Sequence, residues 1–241
     1  FSFTPTLKNK AVLHITGNYE ERIIPVFWYQ ISSFLLYRLL HIPYDFPIPF
    51  LFRFIHVPRE ITGKIDESSV VMVEHPWLFA WVHSYMIKRK PKVPIILVAH
   101  NVEYDLQKSG IKSLPHSLQD KIHRYIYKTE EFAVKNSSLV FSVCSEDKKR
   151  ICELYHVRPD KIRIIPNGTD PQVFHCKDDK HVLRKKLGLP DKVRIILFAG
   201  AMHPPNLEAV KIIEKSISPR LKKYLFLIAG SVSNRKRARE N

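Results

Sequence analysis

SLVFSVCSEDKKRICELYHVRPDKIRIIPNGTDPQVF, residues 138–174, sets a strand, a helix and a second strand in front of a proline-asparagine-glycine turn. Leu139, Val140, Phe141 and Val143 form the short apolar run that a buried parallel strand needs, bounded by Ser137 and Ser145. A helix is expected to start at Ser145, whose hydroxyl accepts from the free amides of the first turn while Glu146 and Asp147 complement the positive helix end. Ile151, Leu154 and Tyr155 fall on its apolar face, and Pro159 closes it. Ile162, Ile164 and Ile165 then form the returning strand. Because a helix separates the two strands, they should be parallel neighbours joined by a right-handed crossover. Pro166, Asn167 and Gly168 turn the chain sharply after them.

Outward from that crossover, strands and helices alternate from residue 69 onward, the signature of an α/β sheet. Residues 69–73 read as a strand, and Pro76 stands where a helix takes its first residue, followed by Trp77, Leu78, Trp81 and Val82. Residues 94–99 (PIILVA) are a further strand ending at His100 and Asn101. A long helix over 117–134 comes next, with Ile122, Tyr125, Ile126 and Phe132 as its packed stripe. The polar stretch 177–192 holds a short helix ending near Gly188 and Pro190 and reads as a linker. A second βαβ unit opens with residues 193–199 (VRIILFA) and Gly200, continues as a helix over 205–217, and returns as residues 224–229 (YLFLIA) and Gly230. The expected division is a first domain over 1–176, a linker over 177–192, and the start of a second domain over 193–241.

With 241 residues and 45% apolar content, the chain has enough material for one large or two ordinary cores. The stretch 23–54 is dense in aromatics, but Pro25, Arg38, Asp45, Pro47, Pro49 and Arg53 interrupt it, and a span needs about 20 mainly apolar residues. It fits a core helix with an adjoining loop, or a surface that dips into a membrane interface. Cys144, Cys152 and Cys176 are odd in number and form no C-x-x-C pair, which speaks against a disulfide framework or a zinc site and fits a reducing compartment. Cys144, in strand-like surroundings, reads as a buried small hydrophobe. A net charge of +16 attracts something anionic, whether nucleic acid, lipid head groups or a phosphorylated substrate, though Lys and Arg are spread along the whole chain. The chain opens on Phe1 and ends in SVSNRKRAREN, directly after an apolar strand, so a piece of a longer protein is expected.

Ligands of open α/β sheets bind beyond the carboxyl ends of the strands. Those positions hold Glu74-His75, His100-Asn101, Ser145, Asn167-Gly168, Gly200 and Gly230, a set suited to a polar, phosphate-bearing molecule. There is no G-x-G-x-x-G, G-x-x-x-x-G-K-[ST], G-x-S-x-G or H-E-x-x-H, so dinucleotide oxidoreductase, P-loop NTPase, serine hydrolase and zincin readings lose their main support.

Five segments in order carry a resemblance: ILVAHNVEYD (96–105), E-x-A-x-x-x-S-x-L-V (131–140), VCSED (143–147), Y-x-V-x-P-D-K-I-x-x-I-P-N-G-T-D (155–170) and L-F-A-G-x-M-x-x-P-N (197–206). Together they resemble the family 4 glycosyltransferases, over residues 69–232. The resemblance implies an α/β protein with two Rossmann-like domains of GT-B type, the second incomplete here. It implies a glycan or lipid-linked acceptor on the first domain, a nucleotide-sugar donor on the second, and transfer with retention. No cofactor is implied beyond the nucleotide-sugar co-substrate, no obligatory metal, and no nucleic acid. His100 matches a cleft histidine that contacts the transferred sugar or the phosphate, and a strand-end imidazole can donate to either. Asn101, Ser145, Asn167, Gly168, Gly200 and Asn206 are the matching substrate- or donor-binding positions, with Asn167 and Gly168 at an interdomain turn and Gly200 letting backbone approach the diphosphate. A cytoplasmic enzyme, peripheral at an anionic inner membrane face, would fit such acceptors.

The chain also departs from the pattern. Many members carry an arginine after that glycine and a lysine further on; here Ala201 follows, then His203-Pro204-Pro205-Asn206, which leaves the diphosphate to helix-end amides with His203 or Lys211 as helpers. The family's E-x-x-x-x-x-x-x-E donor motif has no match, nor does its glycine-rich first loop in FSFTPTLKN, so this polypeptide alone is expected to be inactive. A sugar-nucleotide epimerase shares the two-domain plan, and a non-catalytic basic protein that binds membrane or nucleic acid is the alternative outside enzymes.

Overall fold

The computed structural model describes residues 2–4, 11–16, 19–25, 35, 59–90, 92–110, 114–171, 179–202 and 204–234. Most of the aromatic stretch, Cys176, His203 and the basic tail 235–239 lie outside the described residues. Two compact units are present, Phe1–Gly168 and Thr169–Asn241.

The first unit begins with strands β1 (Ser2–Thr4), β2 (Ala11–Thr16) and β3 (Tyr19–Pro25), ordered β1-β3-β2, with β2 antiparallel and β1 parallel to β3. After α1 (Arg59–Glu67) the alternation expected from the sequence sets in. It runs β4 (Val71–Glu74), α2 (Phe79–Arg89), β5 (Ile95–Ala99), α3 (Glu103–Gly110), α4 (His116–Asn136), β6 (Leu139–Ser142), α5 (Ser145–Tyr155) and β7 (Ile162–Ile164). The four strands form one fully parallel sheet in the order β4-β5-β6-β7. Its registers pair Val71 with Ile95, Ile96 with Leu139 and Val140 with Ile162, so all carboxyl ends share one edge. This is the Rossmann-like α/β layout expected. The core lies between sheet and helices, where Phe79, Met86, Leu97, Ile126, Val134, Val140, Ile151, Tyr155 and Ile162 are almost wholly buried. At about 1.5–3 kcal/mol for each large apolar side chain removed from water, that cluster dominates the unit's stability.

Local boundaries differ from the sequence reading for identifiable reasons. Pro76 does not open a helix: Phe79 N donates to Pro76 O, and α2 begins three residues later than expected. Helix α5 ends at Tyr155, where His156 takes a left-handed conformation (φ 53°), so Pro159 opens a 3-10 turn (Pro159–Lys161) instead of closing the helix. Only Ile162 of the returning strand is buried; Ile164 and Ile165 are exposed, because β7 is the outer strand of its sheet. Residues 165–170 contain no turn or bend, and Gly168 is not among the glycines of positive φ. The Asn-Gly pair therefore does not form the expected sharp turn. Ile165 N still donates to Ser142 O, carrying the strand direction one residue past β7.

The second unit holds α6 (Lys180–Lys186), β8 (Arg194–Ala199), α7 (Pro204–Ile212) and β9 (Tyr224–Ala229), with a π-helical stretch (Ile213–Ile217) and a 3-10 turn (Ser218–Arg220) after α7. Strands β8 and β9 are parallel and in register from Arg194–Tyr224 to Ala199–Ala229, the second βαβ unit expected. Gly188 sits just past α6 at φ 62°, the left-handed helix end that glycine supplies most readily. Buried Arg184 ties α6 to the approach of β8: its Nη1 donates to the carbonyls of Pro190, Asp191 and Val193. No residue of β8 or β9 is buried, and Leu197 is 62% exposed. Two strands with no fully buried residue are marginal in water. Amide hydrogen exchange on residues 1–241 is expected to find β8 and β9 exchanging at least tenfold faster than β6 and Ile162. Equal protection would show that burial does not set local stability here.

Candidate functional site

Four ionisable side chains gather at the carboxyl ends of β4 and β5. Glu74 is the last residue of β4, His75 follows it, His100 follows β5, and Glu103 opens α3. Parallel pairing of Glu74 with Val98 puts the two strand ends side by side. His75 N donates to Val98 O at 3.0 Å, holding the first histidine two residues upstream of the second. The rings of His75 and His100 lie 4.9 Å apart, tilted by 39°. His75 Nδ1 is 2.9 Å from Glu103 Oε1, and His100 Nε2 is 3.7 Å from Glu74 Oε2. Glu74 is exposed, whereas Glu103 is buried. The arrangement joins a solvent-facing half, Glu74 and His100, to an anchored half, His75 and Glu103.

The anchored half rests on a second buried carboxylate. Glu130 of α4 is 2% exposed. Its Oε1 accepts from Glu103 N (2.9 Å), and its Oε2 accepts from Tyr104 N (2.8 Å) and from Tyr155 OH (2.6 Å). Two of the unsatisfied amides at the start of α3 are thus capped by a side chain from another helix. On the exposed side, Arg150 of α5 grips Asp105 of α3 in a two-pronged contact at 2.6 and 2.9 Å. Burial pushes the Glu130 carboxyl up to about 6, against the hydrogen bonds from Tyr155, Tyr104 and Glu103 that favour the ionised form. The Glu103 hydrogen bond holds the His75 imidazole above its ordinary value, opposed by burial. The Arg150 guanidinium holds the Asp105 carboxyl below its ordinary value.

Of the residues singled out from the sequence, His100 and Asn101 stand at this cluster, with Asn101 exposed. Ser145 lies on the same sheet edge, one strand over, but it does not cap its helix. Cys144 is the cap: its backbone is extended (φ −147°, ψ 170°), and its Sγ accepts from Asp147 N at 3.4 Å. Ser145 already has helical backbone, so its hydroxyl donates to the Glu146 carboxylate instead. Cys144 is accordingly half-buried, not the buried small hydrophobe expected. Asn167 and Gly168 lie beyond β7, exposed and without a turn. In the second unit Gly200 and Asn206 do meet: an added Cβ at Gly200 would stand 3.0 Å from the Asn206 side chain, whose Nδ2 donates to Ala201 O at 3.0 Å. Gly230 (φ 85°) admits no Cβ at all, because the Gly200 carbonyl fills that space. The sequence reading noted Glu74 and His75 only as strand-end residues and passed over Glu103 and Glu130. The available signal was a carboxylate inside a helical stripe: Ile126, Glu130, Ala133 and Val134 are the buried residues of α4, and expected Phe132 is exposed.

A parallel α/β sheet that gathers histidines and carboxylates at its carboxyl edge, followed by a second βαβ unit, defines a protein of Rossmann-like architecture. A family model described as Glycosyltransferase Family 4 matches residues 26–173, and the chain belongs to that family. It is similar to a D-inositol 3-phosphate glycosyltransferase of Stackebrandtia nassauensis, 27% identical over 173 residues, covering 68% of this chain and 37% of the relative. A D-inositol 3-phosphate glycosyltransferase of Thermobispora bispora is 26% identical over 143 residues (59% of this chain, 31% of the relative). An uncharacterized glycosyltransferase of Methanocaldococcus jannaschii is 24% identical over 141 residues (57% and 34%). The chain spans about a third of the length of the curated relatives it matches.

Replacing Glu130 tests the buried support. Glu130→Gln leaves at least one buried donor without an acceptor and is expected to cost about 1–3 kcal/mol. The folded-state value of about 6 lies above the ordinary glutamate value of 4.5, so the wild-type contribution is fully present below 4.5 and lost as pH rises through 6. The penalty of Glu130→Gln measured by urea unfolding should therefore be larger at pH 4 than at pH 7, by roughly 2 kcal/mol.

Proposed function

We propose that this chain is the acceptor-side unit and the opening of the donor-side unit of a retaining glycosyltransferase, which moves a sugar from a nucleotide-sugar donor to a glycan or lipid-linked acceptor. The observation that carries the reading is His100: the strand-end histidine of the family pattern stands in an ionisable cluster at the edge of a parallel sheet where such folds take their ligands. In this reading the His100 imidazole donates to a sugar hydroxyl or to the leaving phosphate, where charge develops during transfer. Asn101 and Ser145 line the same edge on the acceptor side, and Asn167 and Gly168 lead from one unit to the next. Pro204 and Pro205 at the start of α7 carry no N–H, so the Asn206 and Leu207 amides are the ones offered to the donor diphosphate, with Gly200 leaving room for its approach and no metal needed.

The names of the bacterial relatives make inositol phosphates the first acceptors to try. The relatives' greater length supports reading transfer as needing more chain than these 241 residues. The charge of +16 supports peripheral contact with an anionic membrane on the cytoplasmic side. Among the described residues no helix is long and apolar enough to cross a membrane.

The test is label transfer. Supplied with radiolabelled nucleotide-sugars and candidate acceptors, the protein at the length of its relatives is expected to label an acceptor, and His100→Ala to lower kcat about a hundredfold or more. An isomerised nucleotide-sugar with no labelled acceptor would make the protein an epimerase. Salt-sensitive binding to vesicles or nucleic acid, with indifference to every nucleotide-sugar, would make it non-catalytic. Residues 1–241 alone are expected not to turn over; transfer by them at a comparable rate would remove the need for further chain.

A further inference from the structure

His75 is a bulky residue held in left-handed backbone conformation at φ 61°. Non-glycine residues occupy that region at a cost, and they persist there where surrounding contacts enforce it. Three contacts do so: its amide bonds Val98 O, its Nδ1 meets the Glu103 carboxylate at 2.9 Å, and its ring lies against His100 at 4.9 Å. Glu103 cannot swing away. It is buried, its amide donates to Glu130, and its Oε2 accepts from Gln107 Nε2 at 3.4 Å. A chain of fixed contacts therefore runs from Tyr155 through Glu130 and Glu103 to the His75 ring, and ends on the ring of His100.

We propose that His75 is the positioning residue of this site: paired with Glu103, its imidazolium forms the shelf that sets the ring of His100 toward Glu74, and loss of its proton loosens that setting. The proposal rests on reading His100 as the ligand-facing group. Charged or titratable groups face His75 from each element around it: Glu74 from β4, His100 from the end of β5, and Glu103 from α3, with Glu130 beneath. Glu103 makes the one close contact, and a hydrogen bond between two ionised groups is shorter and stronger than a neutral one. Protonated, His75 is held against a buried carboxylate. Neutral, it keeps a donor but loses the charge that opposes its backbone strain.

Histidine-ring NMR on residues 1–241 tests this without any activity assay. Between pH 5 and 9 the His75 ring should titrate above the ordinary histidine range, and the His100 ring resonances should inflect at the His75 midpoint. His75→Asn keeps a residue tolerant of the left-handed region and removes the imidazole, so the inflection should disappear while amides outside 71–80 and 98–107 stay in place. Glu103→Gln should weaken proton binding at His75 about tenfold or more. His100 resonances that ignore the pH at which His75 titrates would overturn the proposal, as would an unchanged His75 midpoint in Glu103→Gln. Should either variant fail to fold, the wild-type inflection decides alone. Failure of the sugar-transfer reading would show instead as missing label transfer, which the ring titration does not touch.

Discussion

One buried carboxylate holds the first unit in the form its site needs. Left bare in the interior, the Glu130 side chain would be strongly destabilising, since an unpaired ion loses several kcal/mol of hydration. Three donors meet it: two amides from the start of α3, at the carboxyl edge, and a phenol from the last residue of α5. Those three bonds fix where α3 begins. The start of α3 fixes Glu103, and Glu103 fixes His75. A contact in the middle of a helix-packing face thus has its consequence at the ligand edge of the sheet.

The parts of this fold that were legible in the sequence are those where burial leaves a continuous record. Parallel strands read as unbroken apolar runs, and residues 95–99, 139–142, 194–199 and 224–229 are found as strands within a residue or so of where their composition places them, although only the first two contain fully buried residues. Features that depend on one atom reaching another were not legible. Whether Cys144 or Ser145 caps α5 turns on which of two neighbours keeps extended backbone, and a serine advertises capping whether or not it does it. Asn167-Gly168 advertises a turn, but the chain continues past the strand hydrogen bond of Ile165 without one. Glu130 was missed for the opposite reason: a charged residue is taken as exposed, and only its place in the Ile126–Val134 line contradicts that. The site divided the same way. His100 stood out as a strand-end histidine, whereas its support, Glu103 and Glu130, exists only through tertiary contacts.

The two units differ in how much of their sheet is covered. In the first, the central strands alternate buried and half-buried residues, and strands and helices together form a core of more than a dozen apolar side chains. In the second, strands of equal apolar content bury nothing completely, and Leu187, Leu197 and Ile212 face solvent. Its order comes instead from close, specific contacts: Arg184 on three carbonyls, Asn206 on Ala201, Ser231 Oγ accepting from Met202 N, and Gly230 against the Gly200 carbonyl. Such contacts set loop geometry well, but each contributes only about 0.5–1.5 kcal/mol, far less than a filled core.

That contrast bears on how the ligand edge of the first unit is built. A histidine in left-handed backbone and a carboxylate almost removed from water both raise the energy of the folded state, and they stand beside each other at His75 and Glu103. Unfavourable features of this kind persist where a well-packed body can carry them, and Phe79, Leu97, Ile126 and Tyr155 provide that body directly beneath the edge. Neither the strain nor the buried charge improves packing; what the pair does achieve is to fix the rings of His75 and His100 against each other at the place where the strands end. A glycine at position 75 would relieve the backbone strain, so the physical reason for an imidazole there lies with the two groups it touches, the buried Glu103 carboxylate and the ring of His100.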